Sequence, residues 1–277
     1  MNKYTKLNKI LKKMKSVVVA YSGGLDSTFL LKAAIDALGG DNVLAITARS
    51  ETYPRSEYEE ARRIAVRIGA RHITINTSEL GIKGFKANPV NRCYYCKKEL
   101  FRKLDEIRKK RRMGYLLDGT NHDDLKDVRY GRLAAKELGV RSPLLEAGLT
   151  KDDIRKFSKS LKLTTWNKPS FACLASRIPF NLRITAADLK RVGEAEEYMR
   201  GLGFTQMRVR AHKDTARIEV YARDLEKAVK LRDLLVKKLK RLGFVYVTLD
   251  LAGYRTGSMH EGMPNFAKNK TGSLRGL

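Results

Sequence analysis

Cysteine is scarce in this sequence. There are three, Cys93, Cys96 and Cys173, in 277 residues. An odd number, with two in a C-x-x-C, is no basis for a disulfide framework and suits metal or redox chemistry better. Long apolar runs are missing, and nothing approaches the roughly 20 residues of a membrane span. The basic N-terminus with its short run SVVVA (16–20) mimics a signal peptide. That run leads straight into glycines, so it reads as a first core strand, and the expected compartment is the cytoplasm. No G-x-x-x-x-G-K-[ST] occurs, which excludes the usual P-loop of γ-phosphate transfer. The four histidines, His72, His122, His212 and His260, lack zinc-finger spacing. Acidic residues are few: 30 Asp and Glu against 57 Lys and Arg, a formal charge of +27. Such a charge attracts polyanions, nucleic acids and phosphate-bearing nucleotides alike. Basic residues kept for solubility explain it equally well.

What is present is a regular alternation. Residues 2–15 space Ile10, Leu11 and Met14 among lysines, as in a short amphipathic helix. SVVVAYS (16–22) reads as a buried strand, 26–38 as a helix stopped by Gly39 and Gly40, and 42–49 as a second strand. A helix over 56–70 closes at Gly69, and a third strand spans 71–78. GYLLDGTN (114–121) fits another strand with a functional loop at its end. This order predicts an α/β fold: a parallel sheet with helices on both faces, and ligands beyond the carboxyl ends of the strands. After about residue 180 the pattern becomes helix (185–204), strand pair, long amphipathic helix (224–244) and strand (245–254). We therefore expect domains at 1–180 and 181–277, the second a smaller α+β unit with a mobile basic tail from Pro264.

The loop Ser22-Gly23-Gly24-Leu25-Asp26-Ser27 lies between a predicted strand and a predicted helix. Its glycines let the backbone turn tightly and bring N–H groups close to an oxyanion. The helix start adds free donors and a partial positive charge. Ser22 and Ser27 supply hydroxyl donors. Asp26 conflicts with phosphate unless a cation lies between them, and Mg²⁺ resolves the conflict. An ordinary strand-turn-helix with Asp26 near the cap is the plain alternative. The loop resembles SGGxDS, the PP-loop of the ATP-pyrophosphatase superfamily. That resemblance implies binding of the pyrophosphate of ATP while an AMP ester forms.

The cysteines allow several readings. A structural zinc takes four ligands, and three thiolates fall short. A [4Fe–4S] cluster on three thiolates leaves one iron open, departing from the usual four-cysteine set. A thioredoxin-like pair is another reading, and three small buried apolar residues the plainest. Arg92, Lys97 and Lys98 are expected to lower nearby thiol pKa values.

Taken together, the motifs resemble one family, the LarE-type ATP-dependent sulfur transferases that act on pyridinium-3,5-biscarboxylic acid mononucleotide. The resemblance runs from the PP-loop almost to the C-terminus. Its marks are SGGLDS (22–27), NRCYYCKKELF (91–101), DGTNHDD (118–124), SPLLEAGLTKDDIR (142–155), WNKPSFACLASRIP (166–179), RVRAH (208–212), ARIEV (216–220) and TLDLAGYRTGSM (248–259). One departure is RYGR at 129–132, where the family is expected to show Arg-Pro-Gly.

The resemblance implies that ATP adenylates a carboxylate and that sulfur then displaces AMP, giving a thiocarboxylate on the way to the nickel-pincer nucleotide cofactor. It implies ATP contacts at Ser22, Gly23, Gly24, Asp26, Ser27, Gly119 and Thr120, with Asp26 and Cys173 catalytic. In one branch the cysteine matching Cys173 surrenders its own sulfur. In the other, Cys93, Cys96 and Cys173 hold a [4Fe–4S] cluster, and this chain has all three. Ser176, Arg177, Arg208 and Arg210 are expected to hold substrate phosphate or carboxylates; solvated surface arginines are the alternative. The partners implied are a nucleotide substrate, a sulfide donor and further copies of the chain, with nucleic acid disfavoured. The rivals are an iron–sulfur-dependent tRNA thiolase of the same superfamily, an ammonia-using ligase and a non-catalytic nucleotide- or RNA-binding module.

Overall fold

The computed structural model describes residues 2–125, 130–169, 171–255 and 257–260. Arg129 of the departing RYGR run, and the tail expected to be mobile, lie outside them. The chain divides into two units, Met1–Cys173 and Leu174–Leu277.

In the first unit, helix α1 (Lys3–Lys12) precedes strand β1 (Val17–Ala20), α2 (Leu25–Leu38) and β2 (Val43–Arg49). Then come α3 (Arg55–Arg67), β3 (Arg71–Asn76), α4 (Arg92–Lys110) and β4 (Tyr115–Leu117). Three helices close the unit: α5 (Tyr130–Glu137), α6 (Pro143–Glu146) and α7 (Lys151–Ser160). All four strands are parallel, in the order β3-β2-β1-β4. The β-branched run at β1 sits in the middle, as its burial on both faces requires.

Alternation along the strands builds two cores. Val17, Val19, Val43, Ala45 and Leu117 face one side, where Leu7, Leu11, Phe29, Leu30 and Ile154 of α1, α2 and α7 cover them. Val18, Leu44, Ile46 and Leu116 face the other, against Phe101 and Leu104 of α4 and Ala135 of α5. Gly39 (φ +80°) and Gly69 (φ +71°) end α2 and the α3 turn in backbone conformations that disfavour side chains.

The strand order sets the position of the site. From β1 the chain steps outward through β2 to β3, then returns to pair β4 on the opposite side of β1. The order reverses between β1 and β4, and their carboxyl ends open onto the crevice where ligands bind in such sheets. The Ser22–Ser27 loop leaves β1 there, and residues 118–121 leave β4 there.

The second unit contains α8 (Ala186–Gly201), β5 (Met207–His212), β6 (Thr215–Val220), α9 (Leu225–Lys230), α10 (Arg232–Arg241) and β7 (Tyr246–Leu249). Its sheet runs β5-β6-β7, with β5 antiparallel and β7 parallel to β6. Met207, Val209 and Ala211 alternate with Arg208 and Arg210, which is the period of a strand. The single long helix expected over 224–244 is instead two, α9 and α10, divided at Leu231 (φ −95°, ψ 12°). The Leu231 N–H still donates to the Lys227 carbonyl, so the hydrogen-bond ladder continues through the break. No proline or glycine marks that position in the sequence.

Candidate active site

The loop after β1 is built by close approach. Gly23 has φ +64°, and a Cβ there would lie 2.5 Å from the Ala61 Cβ of α3. Gly119, after β4, lies against the start of α2: a Cβ would meet the Ser27 nitrogen at 3.1 Å. Gly24 caps α2 without a side-chain hydrogen bond. The Ser22 and Ser27 hydroxyls lie 3.1 Å apart. The Asn121 amide, fully buried, donates to Asp26 Oδ1 at 3.2 Å. Asn121 Oδ1 accepts from the Asp123 and Asp124 N–H groups, so the same side chain closes the β4 loop and holds the carboxylate. Thr120 is fixed by Asp118, whose carboxylate accepts from its hydroxyl at 2.7 Å and from Ser142 at 2.6 Å.

Two further side chains meet the loop. The Tyr53 hydroxyl donates to the Ser22 carbonyl at 2.7 Å. Lys168 Nζ reaches the Gly23 carbonyl at 3.4 Å while pairing with Glu57 at 2.9 Å and Glu60 at 2.7 Å of α3. Burial, and then Glu57, push the Tyr53 phenol well above its ordinary value, so it remains a protonated donor.

Cys93 and Cys96 lie in the first turn of α4 on one helix face, three residues apart. None of the three is in a disulfide; Cys93 is exposed, Cys96 and Cys173 partly buried. Burial pushes Cys96 up to about 12, against the opposing pull of Lys97, and Cys173, Glu79 and Cys93 add to the rise. All three cysteines belong to the first unit. The structure does not give Cys96 the lowered pKa expected from its basic neighbours. Desolvation outweighs Lys97, and the Lys98 ammonium is drawn to the Tyr94 hydroxyl at 2.7 Å and Glu137 at 3.1 Å. Among the described residues, no three His, Cys, Asp or Glu side chains converge as ligands of a single metal ion. A donor set of three thiols is the kind an iron–sulfur cluster takes, one thiolate to an iron.

In the second unit, Arg177 is fully buried and pairs in bidentate fashion with Glu196 at 2.7 and 2.8 Å. Arg210 forms the same fork with Glu219, 2.8 Å on both arms. The remaining nitrogen of each turns to Ser176: Arg177 Nη1 donates to its hydroxyl at 2.8 Å, Arg210 Nη1 to its carbonyl at 2.7 Å. Arg217 joins Glu219 at 2.8 Å. Arg208 lies over the Tyr254 ring at 5.1 Å. Burial, and then Arg177, lower Arg208 to about 10, still charged at neutral pH. Four guanidiniums thus surround two buried carboxylates.

The family model described as NAD synthase matches residues 4–123. An uncharacterised Synechocystis protein is 42% identical over 94% of this chain and 97% of its own length. The pyridinium-3,5-bisthiocarboxylic acid mononucleotide synthase of Lactiplantibacillus plantarum is 39% identical over 91% of each chain. An uncharacterised Methanocaldococcus jannaschii protein is 33% identical over 92% of this chain and 98% of its own. The chain belongs to the LarE family.

As a LarE-family protein it is an ATP-dependent enzyme with a PP-loop α/β domain. The fold gathers Ser22, Gly23, Gly24, Asp26, Ser27, Gly119 and Thr120 at the β1–β4 crevice, and Cys93, Cys96 and Cys173 lie in the same unit. Ser176, Arg177, Arg208 and Arg210 form a third group. Glu219 is in ion pairs with Arg210 and Arg217. Reading the LarE-like motifs alone missed Tyr53, Lys168, Glu57, Glu60 and Glu196. Glu196 did leave a signal: it falls on the buried stripe Leu189, Val192, Glu196, Met199 of α8, where a carboxylate needs a buried partner. Among the described residues no helix is long and apolar enough to cross a membrane.

Proposed function

We propose that this chain adenylates a carboxylate of pyridinium-3,5-biscarboxylic acid mononucleotide and replaces the AMP with sulfur, a step in making the nickel-pincer nucleotide cofactor. What supports the reading is that Cys93, Cys96 and Cys173 all occur in the unit that holds the PP-loop. An ammonia-using ligase has no need of them. Similarity to the Lactiplantibacillus enzyme, 39% identical over 91% of the chain, supports the substrate.

Ser22, Gly23, Gly24 and Ser27 hold the pyrophosphate of ATP, Gly119 and Thr120 flank the nucleotide, and Asp26 holds Mg²⁺ against it. A substrate carboxylate oxygen attacks the α-phosphorus and pyrophosphate departs. The acyl adenylate then has a good leaving group where the carboxylate had a poor one. A sulfur nucleophile attacks the acyl carbon, the C–O bond to AMP breaks, and a thiocarboxylate remains. A [4Fe–4S] cluster held by Cys93, Cys96 and Cys173, when bound, supplies an iron without a protein ligand for an exchangeable sulfide. Ser176, Arg208 and Arg210 bind the substrate anions, with Glu219 fixing the plane of Arg210, while Arg177, fully buried on Glu196, holds the Ser176 hydroxyl from behind rather than touching substrate. The first unit activates the carboxylate; the second carries substrate contacts and those of a homo-oligomer. The reaction takes place in the cytoplasm.

The charge of +27 favours a second reading, thiolation of tRNA. Protein purified without oxygen is expected to contain about four irons per chain. With ATP and the pyridinium nucleotide it is expected to release pyrophosphate and to exchange oxygen for sulfur in the product, read by mass. Cys173→Ala is expected to keep pyrophosphate release and lose the exchange. Sulfur transfer retained in Cys173→Ala would overturn the role of that thiol. Turnover of tRNA in place of the nucleotide would favour the second reading.

A further inference from the structure

We propose that Tyr53 and Lys168 are positioning residues that aim the Gly23 and Gly24 N–H groups at the ATP phosphates, an inference resting on the reading of this loop as the phosphate cradle. In a planar trans peptide the carbonyl of one residue and the N–H of the next point in opposite directions. A partner that captures the Ser22 carbonyl therefore fixes the direction of the Gly23 N–H, and one on the Gly23 carbonyl fixes the Gly24 N–H.

Both carbonyls are captured from outside the loop. Tyr53 takes the first at 2.7 Å, much shorter than its 3.3 Å approach to the Glu57 carbonyl, so its single proton belongs to Ser22. Lys168 takes the second at 3.4 Å. The loop needs such pins, because both peptides adjoin glycine, which accepts either orientation at little cost. Each pin is braced by α3. Lys168 is held by Glu57 and Glu60. The same helix presents Ala61 to Gly23 so closely that no Cβ fits between them. With side chains 12% and 13% exposed, Lys168 and Glu57 form an ion pair largely out of water, where a wandering ammonium would forfeit its partners. Lys168 also heads the segment that runs to Cys173, so one ammonium orients the phosphate loop and anchors the start of the thiol-bearing stretch.

The test is calorimetric binding of Mg·ATP and of adenosine to the full chain, comparing wild type with Tyr53→Phe, Lys168→Met and Lys168→Arg. Tyr53→Phe and Lys168→Met are expected to weaken ATP about tenfold. Adenosine has no phosphate to meet the aimed N–H groups, so its affinity is expected to stay at the wild-type value. Lys168→Arg, which keeps a cation for Glu57, Glu60 and the carbonyl, is expected to recover most of the loss. Unchanged ATP affinity in both single variants would overturn the proposal, as would a parallel loss of adenosine. If Lys168→Met fails to fold, Tyr53→Phe decides alone, since it removes one hydroxyl and no charge. ATP binding requires no acceptor substrate, so a wrong substrate assignment leaves this result standing. A wild-type chain that does not bind ATP would instead sink the cradle reading itself.

Discussion

The two units handle polar groups in opposite ways. The first unit keeps its chemistry at an edge: glycines, N–H groups at the start of a helix, and an aspartate that accepts from the Asn121 amide, all beyond the ends of a hydrophobic sheet. The second carries charge into its interior, with Arg177–Glu196 and Arg210–Glu219 buried as forks. The edge site depends on backbone shape. The interior site depends on charge balance, since an ion left alone there loses its partner without regaining water. Glu196 illustrates the balance. Its burial would raise its pKa, yet Arg177 and then Arg208 hold it below the ordinary carboxylate value.

The contrast can be broken by experiment. Arg177→Met leaves Glu196 buried without its fork, and the expected loss of stability is about 3–5 kcal/mol in urea unfolding. A loss below about 1 kcal/mol would mean that the pair does not govern the second unit. Asp26→Asn is expected to lower pyrophosphate release on the order of 100-fold while the melting temperature stays near wild type. A large fall in melting temperature would make Asp26 a structural residue. Gly23→Ala places a Cβ against α3 at a left-handed position. It is expected to cost roughly 1–3 kcal/mol and to weaken ATP binding as well. A normal melt with normal ATP affinity would show that the loop yields.

The smallest effect is expected at Asp153, which closes the capping box of α7 and pairs with Lys3 at 2.6 Å. Asp153→Asn is expected to cost about 1 kcal/mol at neutral pH. The Lys3 hydrogen bond, despite some burial, lowers Asp153 to about 2 from 3.8. A carboxylate depressed in the folded state stabilises fully above its unfolded pKa and stops doing so as pH falls through the folded one. The gap between wild type and variant should therefore close between about pH 4 and pH 2. A gap that persists at pH 2 would remove Asp153 from the acid limb.

Much of the first unit was legible because its signals are local. SVVVA, the glycine loop and the glycines ending α2 and α3 each announce an element within a few residues. The α/β fold follows from their order. The candidate site was legible where a motif lies in one stretch, as at Ser22–Ser27 and Cys93–Cys96. It was not legible where function depends on a meeting between distant stretches. Nothing near Tyr53 says that its hydroxyl reaches Ser22, and Lys168 stood inside a recognised motif without its partners Glu57 and Glu60. The thiol pKa was misjudged for a related reason. Sequence displays the charges beside Cys96 but not its burial, which dominates. The break at Leu231 has no local sign either.

The placement of two of the thiols sets them apart from the packing of the sheet. Cys93 and Cys96 occupy the first turn of α4, whereas the sheet is covered by Phe101 and Leu104 further along the same helix. Exchanging either thiol for another small residue leaves both hydrophobic layers untouched. Under the proposed function, losing either thiol would remove a candidate cluster ligand and leave the scaffold of the glycine loop standing.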